Sequence, residues 1–230
     1  MAADPQDFAS KQILYTGLDP HHYQGKGNVT HVPLIEIVPR PLSDPAIQPV
    51  LSQFAQYTHV IVTSKSTIPI LQDYLCRLGF SLQEWAQKST LAVGRATAAH
   101  LSACGIHPMR VAKEETAEGL LYEMDSMSLK DAFFLWPHSA QSRPVLKNYF
   151  SRHKIAFQDC LLYDTLPHYP SYLPDVDAFD EIVFTSPSTV KAFVQIFGSL
   201  PAHKQLTPIG PITASCLKAY LSQSNSILLN

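Results

Sequence analysis

Val60-Ile61-Val62-Thr63-Ser64-Lys65-Ser66-Thr67 returns in loose form as Ile182-Val183-Phe184-Thr185-Ser186-Pro187-Ser188-Thr189, 122 positions later. In each copy an apolar run short enough for a buried strand ends in a hydroxyl-rich turn and leads into an amphipathic stretch. A second pair of turns follows, Gly94-Arg95-Ala96-Thr97-Ala98 and Gly210-Pro211-Ile212-Thr213-Ala214, separated by 116 positions. A unit of strand, turn, helix, strand, turn and helix therefore occurs twice. That predicts two similar α/β lobes with a cleft between them.

Outward from these turns the chain alternates strands and helices of about ten residues, the pattern of parallel sheets covered on both faces. Thr67 to Leu78 carries Ile68, Leu71, Leu75 and Leu78 on one helical face, with Gly79 as a stop. Further helices are expected at Ala46–Gln56, Ala96–Cys104, from Thr116, at Arg143–Ser151, at 188–197 and at 212–221. Strands are expected at 13–16, 31–38, 59–63, 91–93, 132–136, 155–163, 181–185 and 206–209. Pro39-Arg40-Pro41 and the proline-rich Leu166 to Pro174 mark two boundaries. The chain is thus expected to begin one lobe, build a second inside it, and return. Residues 1–38 with 165–230 form the outer, discontinuous lobe, and 39–164 the inner lobe with two antiparallel linker strands.

Composition narrows the function. With 46% apolar and 16% charged residues among 230, the chain can bury cores, and its net charge of −2 gives no basic field for nucleic acid. No apolar run approaches the roughly 20 residues of a membrane span, so no membrane association is expected. Met1 to Lys11 is polar and acidic, unlike a signal peptide, and reads as a frayed lead-in. Cys76, Cys104, Cys160 and Cys216 are scattered without CxxC spacing, as for reduced thiols of a cytoplasmic protein. His21 and His22 adjoin, but no third ligand is evident, so neither a metal nor a cofactor is expected.

Hydroxyl-rich turns at the carboxyl ends of parallel strands lie where open α/β sheets bind ligands. Each leads into a helix N-terminus, whose unpaired N–H groups and partial positive charge suit anions. Ser66 and Ser188 also read as ordinary N-caps, and capping alone would account for either one. Neither glycine turn forms a dinucleotide or phosphate loop, and GxSxG and HExxH are absent from the sequence. The turns therefore predict a polyanion held by dispersed N–H and hydroxyl donors.

Thr63-Ser64, Thr185-Ser186-Pro187-Ser188, Val93-Gly94 with Thr97-Ala98, Glu118-Gly119-Leu120-Leu121, Leu162-Tyr163-Asp164-Thr165 and Ile209-Gly210-Pro211 with Thr213-Ala214 stand in an order that resembles the uroporphyrinogen-III synthase family across residues 12–220. The resemblance implies two flavodoxin-like lobes joined by a two-stranded connection. It implies a cofactor-free enzyme acting on hydroxymethylbilane, a linear tetrapyrrole with eight carboxylates, as its small-molecule partner, with the protein a monomer. Tyr163 matches the tyrosine that the family's proposals place near the leaving hydroxyl; its other reading is an amphipathic anchor for the second linker.

For substrate binding the resemblance points to Thr16, Thr63, Ser64, Lys65, Gly94 and Thr97. It adds Ser139 and Arg143, then Thr185, Ser186, Pro187, Ser188, Gly210 and Thr213. Arg143 reads equally as a solvated first-turn residue. The chain also departs from the family. Gly17 stands where the first strand commonly ends in arginine, and Thr213 is alone where two threonines are common. Gly94 is followed 22 residues later by the Thr116 turn, whereas the counterpart after Gly210 would begin at 232. The outer lobe is therefore expected to lack its last helix, leaving a thinner face near Ile227 to Leu229. A two-lobed binding protein without catalysis, or a degenerate relative of the synthases, is the rival reading.

Overall fold

In the computed structural model residues 11–23 and 26–227 are described. They divide into two compact units: the described residues as far as Glu36 with those from Thr165 on, and Ile37–Asp164. Strands are numbered β1 to β10 and helices α1 to α8 along the chain.

The first unit holds β1 (Gln12–Tyr15), β2 (Asn28–His31), β9 (Glu181–Phe184) and β10 (Gln205–Pro208). They form a sheet in the order β10-β9-β1-β2, and every neighbouring pair is parallel. Alternation along the strands sends Leu14, Ile182 and Phe184 to one face. There they pack on Val190 and Phe193 of α7 (Pro187–Phe197) and on Leu217 of α8 (Pro211–Ile227). Ile13, Tyr15 and Val183 point to the other face and meet Tyr23 from the 3-10 turn His21–Tyr23.

Three expected element boundaries are corrected. The stretch 31–38 is not one strand: β2 ends at His31 and β3 (Ile35–Pro39) begins after a break. Val32 and Leu34 still donate to Tyr15 and Thr16, but Pro33 between them has no N–H to give. The helix expected at 212–221 runs on to Ile227. The tail that follows holds serines rather than glycine or proline, and Ser222 bonds back to the Lys218 carbonyl at 2.9 Å within the helix. The strand expected to end at Tyr163 is β8 (Ala156–Pro167), which continues into the proline-rich boundary. The expectations for Met1–Ser10 and for the face near Ile227 to Leu229 lie outside the described residues and side chains.

Glu181 is nearly buried at the amino end of β9. Its carboxylate accepts from Tyr23 (2.7 Å) and Thr207 (2.5 Å) and pairs with Lys11 (2.6 Å). Burial alone would raise its pKa; the bonds from Lys11, Thr207 and Tyr23 outweigh it and hold the carboxyl below its ordinary value. A carboxyl depressed in the folded state stabilises above its unfolded pKa, and that stabilisation is lost as pH falls through the folded value. Glu181→Gln is therefore expected to lower the melting temperature at pH 7 and to flatten its fall between about pH 5 and 3. Parallel acid-melting curves for the two proteins would show the idea wrong.

The second unit contains a six-stranded sheet in the order β3-β8-β7-β4-β5-β6. It comprises β4 (His59–Val62), β5 (Ser89–Ala92), β6 (Arg110–Val111) and β7 (Phe133–Ser139) beside β3 and β8, and β8, β7, β4, β5 and β6 are parallel in turn. Val60, Ile61 and Val62 are all fully buried, as expected of a strand covered on both faces. Val60 and Val62 meet Leu71, Leu75 and Trp85 on one side; Ile61 meets Leu91, Leu120, Phe134 and Phe150 on the other. These come largely from α2 (Thr67–Arg77), α3 (Leu82–Ala86), α5 (Ala117–Asp125) and α6 (Val145–His153).

The helix expected over Ala46–Gln56 is instead α1 (Gln48–Ser52) followed by a 3-10 turn at Phe54–Gln56. Pro49 is tolerated only in a first turn, so the helix cannot extend back to Ala46. The five-residue α3 and two-residue β6 are additional elements. A capping box between Ser81 and Glu84 starts α3. Next along the chain comes α4 (Arg95–Ala103), stopped before Gly105 as expected.

Candidate functional site

All strands of the first unit's sheet end at one edge, and there β1 passes into Thr16-Gly17, β9 into Thr185-Ser186 and β10 into Ile209-Gly210. Thr16 is fully buried, its hydroxyl donated to the Val183 carbonyl at 2.7 Å, so that group serves the sheet. Thr185 lies against Gly17: a Cβ on Gly17 would stand 2.4 Å from the Thr185 Cγ2. Ser186, not Ser188, caps α7. Its hydroxyl accepts the Thr189 N–H and its own N–H is given to the Thr189 hydroxyl, both at 3.3 Å. Pro187 occupies the first helical position and so makes the preceding residue the cap; that proline was the available signal. Ser188 is half-buried in the first turn. Gly210 takes φ +89° ahead of α8, and Thr213 is buried in the helix that follows.

The second unit repeats this edge with its donors differently engaged. Thr63, Ser64 and Lys65 are half-buried between β4 and α2. The Ser64 hydroxyl accepts the Ser66 N–H at 3.3 Å, and Ser66, expected as a side-chain cap, makes no cap bond of its own. Gly94 also has φ +89°, a conformation open to glycine, and is the N-cap of α4. The first helical N–H, on Arg95, is already taken by the Glu115 carboxylate at 3.1 Å. Thr97 is buried in the first turn of that helix.

Arg143 is not a bare cation. It makes two bonds to Glu118, at 2.5 and 2.8 Å. The paired carboxylate raises the guanidinium pKa, and the guanidinium lowers that of Glu118. Ser139 ends β7, donating its hydroxyl to Gln141 at 2.7 Å and accepting the Gln141 N–H. Tyr163 of β8 is 3% exposed, its hydroxyl 3.5 Å from that of Thr67 at the start of α2.

The structure therefore gathers Thr16, Thr185 and Ser186 with Gly17 at one edge, and Gly94 and Thr97 with Glu115 at another. Tyr163 joins the Thr67 turn, while Arg143 stands with Glu118. Sequence reasoning missed Glu115 and His31, whose ring Nε2 lies 2.7 Å from the Gly17 carbonyl. Both edges offer hydroxyl and N–H donors suited to anions. Among the described residues no group of three metal-ligating side chains is assembled, and no helix is long and apolar enough to cross a membrane.

The family described as Uroporphyrinogen-III synthase HemD matches residues 23–224. Among solved structures, a mutant uroporphyrinogen III synthase from the extremely thermophilic bacterium Thermus thermophilus superposes with a TM-score of 0.62 at 17% identity, covering 92% of this chain and 89% of that one. Uroporphyrinogen-III synthetase from Helicobacter pylori 26695 gives 0.60 at 18% identity, covering 94% and 90%. These two establish likeness of fold. No curated protein matches the sequence. The family match takes in nearly every turn just described, and the chain belongs to the uroporphyrinogen-III synthase family.

Proposed function

We propose that this chain cyclises hydroxymethylbilane to uroporphyrinogen III as a hydro-lyase of tetrapyrrole biosynthesis, acting as a monomer in the cytoplasm. The observation that carries the reading is the family match over residues 23–224. Donor-bearing turns at the carboxyl ends of both sheets support it. Protonation of the terminal hydroxyl releases water and leaves an electrophilic azafulvene. The far pyrrole attacks that carbon, and rearrangement through a spiro intermediate inverts the ring before closure. This chemistry asks the protein to fold and orient the chain and to place one proton donor.

In this reading Thr63, Ser64, Lys65, Gly94, Thr97 and Ser139 of one unit, and Thr185, Ser186, Ser188, Gly210 and Thr213 of the other, serve the eight carboxylates. Thr16 and Pro187 shape their turns. Arg143 would join them by exchanging Glu118 for a substrate carboxylate. We infer that lobes of residues 1–38 with 165–230 and of 39–164 are joined by β3 and β8 as antiparallel strands. Supporting this, His168 donates to Leu34 and Arg40 to Leu162, so one number falls as the other rises.

Incubating the chain with fresh hydroxymethylbilane, oxidising, and resolving the isomers tests the function. Isomer III in excess over the spontaneous isomer I is expected. Isomer I alone would overturn the reading, and thermal protection by uroporphyrinogen without isomer III would make the chain a binding protein.

A further inference from the structure

His31 closes β2 at the edge where β1 and β9 also end, in register with Tyr15. The Gly17 carbonyl can only accept, so the imidazole Nε2 at 2.7 Å must carry the proton. The ring edge meets Tyr15 at 5.9 Å between centroids, and the Tyr15 hydroxyl is given to the Asp19 carbonyl at 2.7 Å. Held from two sides, the ring has one orientation, and the residue is exposed. Among the described residues, none accepts from Nδ1.

The same edge cannot carry a cation on β1. A side chain at Gly17 would begin 2.4 Å from the Thr185 Cγ2 and 2.6 Å from its hydroxyl oxygen. Two lysines of this unit stand at the opposite edge. Lys11 is held on Glu181 and Lys204 donates to Asp177, both at the amino ends of the strands. His31 is thus a charge-capable side chain placed beside the Gly17–Thr185 contact.

We propose that His31 is a carboxylate-binding residue of this edge. Its imidazolium donates through Nδ1 to an acidic side chain of the tetrapyrrole while Nε2–H stays on the Gly17 carbonyl. The inference rests on the function proposed above, and it extends that site to a residue with no counterpart in the repeated turns. An imidazole is the side chain whose charge is available near neutral pH. A charge-assisted bond to a carboxylate is stronger than the neutral bonds the threonines offer.

His31→Gln retains an N–H able to reach Gly17 but has no charge, and His31→Leu removes both. His31→Gln is expected to raise KM for hydroxymethylbilane about five- to tenfold, with kcat changed less than about twofold and the melting temperature unmoved. A His31→Gln variant with wild-type KM would overturn the proposal. So would losses of kcat and stability shared by both variants at constant KM, which would make His31 a latch on Gly17 alone. Should the wild-type chain form only isomer I, the functional reading fails, and a second measurement still decides this one. The His31 ring resonances, assigned by difference with the Gln variant, are followed as uroporphyrin III is added. A shift of those resonances on binding is expected. Unmoved resonances under saturating uroporphyrin III would overturn it.

Discussion

Gly119→Ala is expected to destabilise the protein by about 2–3 kcal/mol and to lower its melting temperature by roughly 5–10 °C. Helix propensity alone points the other way, since alanine in a helix interior is better than glycine by about 1 kcal/mol. Packing decides the sign. A Cβ on Gly119 would stand 2.2 Å from the Glu114 carbonyl oxygen and 2.9 Å from the Glu114 Cβ. The nearer partner is backbone, held in the turn by the Thr116 N–H at 2.7 Å, and so cannot swing aside. The Gly119 N–H is itself fixed on the Thr116 hydroxyl at 3.0 Å, the N-cap of α5. Relieving the overlap would therefore loosen the cap that starts the helix. Thermal melting of the single variant checks this, and a melting temperature at or above wild type would show that the turn relaxes freely.

Tyr163→Phe should lower kcat by about tenfold or more if the phenol is the proton donor of the proposed reaction, with little change in KM. Stability should scarcely move. The hydroxyl's described partner is Thr67 at 3.5 Å, too long to contribute more than a weak bond. The ring, packed with Leu71, Leu135 and Leu162 in one core, would be unchanged. Burial of that ring favours the anchoring role, and kinetics separates the two: unchanged turnover leaves Tyr163 as a core residue and nothing more.

The junctions of strand and helix were legible because they rest on local chemistry. Gly94 and Gly210 were placed at strand-to-helix turns, and both take positive φ there. The apolar spacing from Ile68 to Leu75 gave α2 almost to the residue. Elements whose reason to exist lies in distant partners were not legible. β6 is two residues long and persists because Leu91 and Ala92 pair with it; no propensity could announce it. The turn hydroxyls were recognised as donors, but how many are used internally depends on the fold. Thr16 gives its proton to a strand 167 residues away, and Ser139 spends its own on Gln141. Arg143 was read as a substrate cation or a solvated side chain, because its partner Glu118 lies 25 residues back along the chain.

Glu115 bears on how the Gly94 turn can take up an anion. The amide that a visiting carboxylate would find on Arg95 is already bonded to a carboxylate of the protein's own. Arrival there is an exchange of one acid group for another, with the hydrogen bond conserved and no new counter-charge created. The affinity at that point is the difference between two nearly equal bonds, which leaves it small and makes release easy. In the proposed reaction a turn so occupied would favour turnover over retention, for a product carboxylate would leave with a replacement waiting 20 residues downstream.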